Sequence, residues 1–282
     1  MQVIEICRMI KIEHSVFALP YAWAGAFLAN GWLPSFRSLF FLTLAMIAVR
    51  SFAMTYNRLA DLEYDKANPR AKDRPLPSGK ISVKEARIFA GVAAAIFVGA
   101  CACLNLTCLL LAIPALAFAA GYSHAKRYTP FSHFWLGATL GLAPIAGWLS
   151  VIPYSLGLSA ILLFFAVSFW VAAFDIYYAF QDIEFDRTSG LHSVPADLGE
   201  IPALHMAAFS HCMTVIFLFL TGYAASLGWP WYLVCVIIGA ILLWEHRLVK
   251  PDDLSRINLA FFTLNGAISF IVLAGVILGI YF

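Results

Sequence analysis

The stretch Leu156-Gly-Leu-Ser-Ala-Ile-Leu-Leu-Phe-Phe-Ala-Val-Ser-Phe-Trp-Val-Ala-Ala-Phe-Asp175-Ile-Tyr-Tyr-Ala-Phe-Gln181 contains one charged residue, Asp175. A helix of that length spans roughly 40 Å at ~1.5 Å per residue, enough to cross a hydrocarbon layer of ~30 Å. Eight further apolar runs accompany it, near 15–35, 39–57, 84–103, 106–122, 131–151, 203–226, 229–246 and 257–281. The chain is 62% hydrophobic and 12% charged, far from the ~25% charge of an average soluble domain. These features exclude an ordinary soluble domain, a disordered chain and a fibre. They predict an all-α polytopic membrane protein with nine transmembrane helices, in one domain covering 1–282, embedded in the lipid bilayer.

Charge is distributed unevenly between the connections. The links near 30–38, 103–106, 151–156 and 226–230 carry only Arg37, whereas 57–83, 123–130, 182–202 and 246–256 are polar and charged. Of the 18 Lys and Arg residues, all but Arg37 and Arg50 lie in or beside the N-terminus and these four connections. The excess of basic residues places those segments in the cytoplasm. A bacterial inner membrane location follows as the expectation, with any site in these loops facing the cytoplasm. Arg8 and Lys11 before an apolar run could imitate a signal peptide, but the many later spans favour a retained first helix. A net charge of +2 gives no reason to expect nucleic acid. The six cysteines form no CxxC pair and read as small apolar residues.

The acidic residues share the sidedness of the basic ones, which topology alone does not require. The second run ends Asn57-Arg-Leu-Ala-Asp61-Leu-Glu-Tyr-Asp65, and the sixth ends Tyr178-Ala-Phe-Gln181-Asp182-Ile-Glu-Phe-Asp186. Each step of four residues rotates only ~40° about a helix, so Asn57, Asp61 and Asp65 fall on one stripe. Two facing carboxylate stripes repel unless cations lie between them. Hard oxygen ligands of this kind favour Mg²⁺ shared with phosphate oxygens. Such a site at the mouth of an apolar bundle suits a diphosphate head with a hydrocarbon tail. One such motif is equally compatible with a solvated helix end; two on the same side argue for a site. An EF-hand fails because Lys66 and Lys72 occupy its glycine and glutamate positions. Membrane acids also mark ion pathways, so a divalent-cation or proton-coupled transporter is the alternative. Transporter sites lie near the midplane, unlike these helix-end acids.

Asn57-x-x-x-Asp61-x-x-x-Asp65, with Asn68-Pro69-Arg70 and Arg74-Pro75-Leu76-Pro77-Ser78-Gly79 after it, resembles the first signature of the UbiA superfamily of intramembrane aromatic prenyltransferases. Tyr178-Ala-x-Gln181-Asp182-x-x-x-Asp186 resembles the second, and Tyr122-x-x-x-Lys126 resembles the family's Tyr-x-x-x-Lys element. The resemblance covers essentially the whole chain. It implies a UbiA-type bundle with cytoplasmic cap loops near 57–83 and 182–202. It also implies Mg²⁺ held by Asn57, Asp61, Asp65, Asp182 and Asp186, and a diphosphate contacted by Lys126, Arg74 and Tyr122. Arg58 and Asp73 depart from residues common in the family. The sequence around 180–195 is most similar to the 4-hydroxybenzoate polyprenyltransferase branch, which includes enzymes using 1,4-dihydroxy-6-naphthoate. The implied reaction joins a polyprenyl diphosphate to an aromatic acid in ubiquinone or menaquinone synthesis.

Three further residues are candidates for binding the acceptor: Arg50, Lys11 and Tyr178. Arg50 is an intramembrane charge seven residues before Asn57, suited to an acceptor carboxylate or to pairing with Asp175, itself seven residues before Asp182. Lys11 and His14 lie near the first run, where a snorkelling lysine is an equal reading. The remaining histidines, including His133, show no ligand spacing.

Overall fold

The computed structural model describes residues 2–11, 17–248 and 264–282. His14, Lys250, most of the 246–256 connection and the first part of the ninth apolar run lie outside the described residues. The chain folds into thirteen helices among the described residues. α1 (Gln2–Ile10) and α2 (Leu19–Asn30) precede α3 (Phe36–Ala60), which is followed by the short α4 (Leu62–Ala67). Three long helices come next: α5 (Val83–Leu104), α6 (Leu106–Ala125) and α7 (Ser132–Val151). After α8 (Leu158–Ala179) come the short α9 (Ile183–Ser189) and α10 (Val194–Leu198). The chain closes with α11 (Glu200–Ala224), α12 (Trp229–Leu248) and α13 (Asn265–Tyr281).

Each expected span has a counterpart. Seven helices are long and apolar enough to cross a membrane: α3, α5, α6, α7, α8, α11 and α12. The first and ninth runs appear as shorter helices, α2 with 12 residues and α13 with 17. The first run is shortened at its end by Gly31, whose left-handed φ of 65° caps α2. Local signals set other boundaries. Ser82 and Glu85 form a reciprocal capping box at the start of α5. In the tight α5–α6 turn, Asn105 accepts from the Cys108 backbone N–H at 2.9 Å and donates to the Leu149 carbonyl at 2.8 Å.

Contacts α2–α3, α3–α6, α6–α7, α7–α8, α8–α11, α11–α12, α12–α13 and α13–α2 close a ring of helices. α8 is the most buried of the spans: 61% of its most apolar stretch is buried, against 28–33% for the other spans. Outward-facing Leu110, Ile113, Phe209 and Val236 leave an apolar surface of the kind that faces lipid. Close approach of backbones replaces side-chain interdigitation around α7. A Cβ on Gly147 would lie 1.8 Å from the Ala22 carbonyl oxygen, and one on Gly137 2.1 Å from that of Ser168. Small residues at such crossings let membrane helices pack tightly without a hydrophobic driving force. Gly147→Val is therefore expected to lower stability by at least ~1–3 kcal/mol through overpacking. Gly91→Val, with open space around its Cβ, is expected to be neutral. Thermal unfolding of both variants in detergent checks this; equal midpoints would contradict the α2–α7 contact.

Candidate active site

Both aspartate motifs sit where a long helix gives way to a short one. α3 ends at Ala60, and Asp61 adopts φ −96°, ψ 8° before α4 begins. α8 passes through a 3₁₀ turn at Phe180–Asp182, and Asp182 adopts φ −118°, ψ 8° before α9. These values lie near the sparsely populated bridge region, where many active-site residues sit. The helices are thus interrupted at the motif rather than continuous through it. The stripe nevertheless survives, because Asp61 N–H bonds to Asn57 O at 2.9 Å and Asp65 N–H to Asp61 O at 2.8 Å.

Asn57, Asp61, Asp65, Lys126, Arg74, Tyr122, Tyr178, Asp182 and Asp186 all line one polar chamber of about 190 Å³. Lys126 Nζ lies 2.8 Å from Asp61 Oδ2, to which Asn57 also donates at 3.1 Å. Arg74 contacts Asp65 Oδ1 at 2.8 Å. Arg58, buried, approaches Asp65 Oδ2 at 3.7 Å. Arg70 and Asn68 reach across from the first connection to Asp182 Oδ1, at 2.7 and 3.3 Å. Arg70 also donates to Gln181 at 2.8 Å and sits over the Tyr178 ring. The segment after α9 closes over Lys126, whose carbonyl accepts the His192 N–H at 2.7 Å, while Ser193 donates to Asp186 at 2.9 Å.

Asp61, Asp65 and Asp182 are therefore each paired with a lysine or arginine side chain, and Asp186 with the Ser193 hydroxyl. Among the described residues no three His, Cys, Asp or Glu side chains stand at chelating spacing. Two buried carboxylate oxygens, Asp61 Oδ1 and Asp65 Oδ2, have no hydrogen-bond partner. Such oxygens call for a donor or a cation, because an unsatisfied buried acceptor costs ~1–3 kcal/mol or more. An all-oxygen set with unused lone pairs fits Mg²⁺, which binds one or two carboxylates and takes its other ligands from phosphate and water.

Beneath the polar chamber lie two apolar ones. Tyr122 lines both the polar chamber and a cavity of about 140 Å³ whose single charged residue among the described lining is Arg50. Met46, Phe97 and Ala115 connect that cavity to another of about 310 Å³ between α3, α5, α6 and α7. The structure places the acceptor candidates differently. Tyr178 faces the polar chamber and Arg50 the apolar one, whereas Lys11 follows α1 with φ 47° and lines neither.

The expected pairing of Arg50 with Asp175 is not what forms. His133 Nδ1 is 2.7 Å from Asp175 Oδ2 instead, because the start of α7 packs against α8 at that level. His133, Asp175, Asn68, Arg58 and Tyr64 also line the chamber, though the sequence reading gave them no site role. Asn68 and Arg70 were visible in the quoted motif; His133 had no signal beyond being a histidine at the start of an apolar run.

Lys126→Ala is expected to impair turnover by removing the cation nearest Asp61. Arg127, 3.9 Å from Asp61 Oδ1 and anchored to the Ala60 carbonyl at 2.6 Å, limits the loss, so Lys126→Ala/Arg127→Ala should lose more than either single change. Steady-state rates for the three variants test this; additive, small effects would remove Lys126 from the site.

The profile of the UbiA prenyltransferase family matches residues 18–271. The chain is 32% identical to the 4-hydroxybenzoate octaprenyltransferase of Chromohalobacter salexigens, over 98% of this chain and 93% of that protein. It is 32% identical to the 4-hydroxybenzoate octaprenyltransferase of Pseudomonas aeruginosa, over 89% and 83%. Among solved structures, a UbiA homolog from Aeropyrum pernix K1 superposes with a TM-score of 0.85 at 34% identity, covering 94% of this chain and 98% of that one. A UbiA homolog from Archaeoglobus fulgidus bound to GPP and Mg²⁺ shares the fold, with a TM-score of 0.75 at 23% identity over 97% and 99%. Nothing in these likenesses supports the transporter alternative. Sequence, fold and relatives agree that this integral membrane enzyme belongs to the UbiA prenyltransferase family.

Proposed function

We propose that the protein transfers a polyprenyl group from its diphosphate to 4-hydroxybenzoate, with Mg²⁺ required, in the synthesis of a quinone of the ubiquinone type. The observation that carries this reading is the single polar chamber that gathers both aspartate motifs and Lys126 and continues into apolar space. The substrate class is also that of the relatives named for 4-hydroxybenzoate, and a protein of the same fold binds GPP with Mg²⁺.

In this account Asn57, Asp61, Asp65, Asp182 and Asp186 hold Mg²⁺, which when bound supplies positive charge to the departing diphosphate. Lys126 and Arg74 turn from their aspartates towards the phosphate oxygens, and Tyr122 marks the level where head meets tail. The apolar cavities hold the prenyl chain and keep water from the allylic carbon once its C–O bond ionises. Arg50 pairs with the acceptor's carboxylate at the edge of the apolar cavity. Connections 57–83 and 182–202 form the cap, clamped by Arg70 across to Asp182 and Gln181, and face the cytoplasm of a bacterial inner membrane. Impermeant thiol labelling of single cysteines introduced at Lys72 and Glu184 tests the sidedness: labelling is expected only after the membrane is opened, and labelling of intact cells would reverse it.

The function itself is tested with purified protein, Mg²⁺, a polyprenyl diphosphate and either 4-hydroxybenzoate or 1,4-dihydroxy-6-naphthoate, followed by mass analysis. A prenylated 4-hydroxybenzoate is expected. Product from the naphthoate alone would redirect the pathway, and no product from either would sink the proposal.

A further inference from the structure

We propose that Asp175 is the base that takes the proton lost by the aromatic ring, with His133 as its positioning residue. The assignment rests on the prenyl-transfer reading above and names a residue for a step which that reading leaves unassigned.

Asp175 lies on α8 seven residues before Asp182, which is roughly 10 Å deeper into the bundle at ~1.5 Å per residue. Arg50 precedes Asn57 on α3 by the same interval. Asp175 and Tyr122 line the same polar chamber, and Tyr122 also borders the cavity that holds Arg50. Asp175 therefore stands below the diphosphate ligands and on the side from which an acceptor anchored by Arg50 would meet the allylic carbon. It is the chamber's one acid outside the two motifs among the described lining residues.

His133 fixes this carboxylate. The backbone N–H of Val194 lies 3.2 Å from His133 Nε2, so Nε2 accepts and must be unprotonated. The ring proton of the neutral imidazole then sits on Nδ1 and is donated to Asp175 Oδ2 at 2.7 Å. The imidazole is 96% buried as the complement of its 4% exposure, whereas the Asp175 side chain keeps 26% exposure on the chamber wall. One oxygen is thus tied down by a neutral donor, and the carboxylate keeps a face towards the substrate. The motif acids differ: Asp61, Asp65 and Asp182 each contact Lys or Arg within 2.8 Å, and Asp186 accepts from Ser193 beside them.

The chemistry balances without a further reactant. The allylic C–O bond breaks and its electron pair leaves with the diphosphate. A π pair of the ring forms the new C–C bond at the carbon beside the hydroxyl. That carbon then gives up its hydrogen as a proton to Asp175, and the C–H pair restores aromaticity. The cationic ring is a far stronger acid than a carboxylic acid, so a hydrogen-bonded carboxylate is basic enough. Because Val194 belongs to α10, within the cap connection 182–202, the same imidazole ties the base to the cap over the site.

The test uses the full-length enzyme with Mg²⁺, geranyl diphosphate and 4-hydroxybenzoate deuterated at the ring carbons beside the hydroxyl. Asp175→Asn is expected to lower formation of the prenylated acid by about 100-fold, the lower range for a lost general base. Diphosphate release should continue, with prenol accumulating as water captures the cation. A primary isotope effect absent from the wild type should appear in the variant, because proton loss becomes rate-limiting. His133→Phe should show a smaller loss with the same isotope effect, partly rescued by His133→Asn, whose amide can donate to Asp175. Near-normal transfer by Asp175→Asn without an isotope effect overturns the assignment. So does equal loss of diphosphate release and transfer, which would place Asp175 among the donor-binding residues. Failure of the wild type to prenylate overturns the functional reading itself and this assignment with it.

Discussion

Asp61→Asn and Asp182→Asn are each expected to lower prenyl-transfer turnover at least ~100-fold, equivalent to ~2.7 kcal/mol of lost transition-state stabilisation. The amide keeps the shape and polarity of the carboxylate but removes a negative oxygen from one side of the chamber. Asp61 is buried, with Lys126 at 2.8 Å and Oδ1 lacking a hydrogen-bond partner, so the substitution also leaves a cation poorly compensated. Asp182 receives Arg70 and Asn68 from the opposite connection, and its loss weakens the clamp between the two halves of the cap. Lys84→Ala, an exposed change on α5 away from the chamber, should stay within a few-fold of the wild type. Rates measured at matched membrane protein levels decide the matter. Near-normal turnover in both Asp→Asn variants would show that the two motifs do not form one site.

Removing divalent metal is expected to abolish turnover, and Mg²⁺ or Mn²⁺ to restore it. The physical reason is the charge of the chamber when substrate enters. Three of the four motif carboxylates, Asp61, Asp65 and Asp182, are paired with Lys126, Arg74, Arg58 and Arg70 in the structure. A diphosphate brings further negative charge that those four side chains cannot neutralise while they remain paired. Added inorganic diphosphate should therefore compete with the prenyl donor in the presence of Mg²⁺. Prenyl transfer unchanged after thorough chelation would exclude this arrangement.

The membrane architecture was legible in the sequence because lipid imposes a simple demand, ~20 apolar residues per span. The apolar run around α8 and the runs for α3, α5, α6, α7, α11 and α12 all mark real helices. The first run was over-extended: it included Gly31, whose left-handed cap ends α2 at Asn30. The motif acids were legible through their fixed spacing, and the chamber brings all of them together. What spacing could not show is which cation meets which acid, since that depends on how α6 and the two connections pack. Equal seven-residue offsets suggested Arg50 with Asp175, yet the partner came from His133 on α7, adjacent only in space. Arg58 looked like a departure from the family pattern, and burial against Asp65 gives it a structural place.

The central claim is that both aspartate motifs form one Mg²⁺-dependent diphosphate site. Calorimetric titration of the purified protein with a non-hydrolysable geranyl diphosphate analogue tests it most directly. Binding is expected only with Mg²⁺ present, and Asp61→Asn and Asp182→Asn should each weaken it markedly. Binding of equal strength without metal, or undiminished in both variants, would contradict the account.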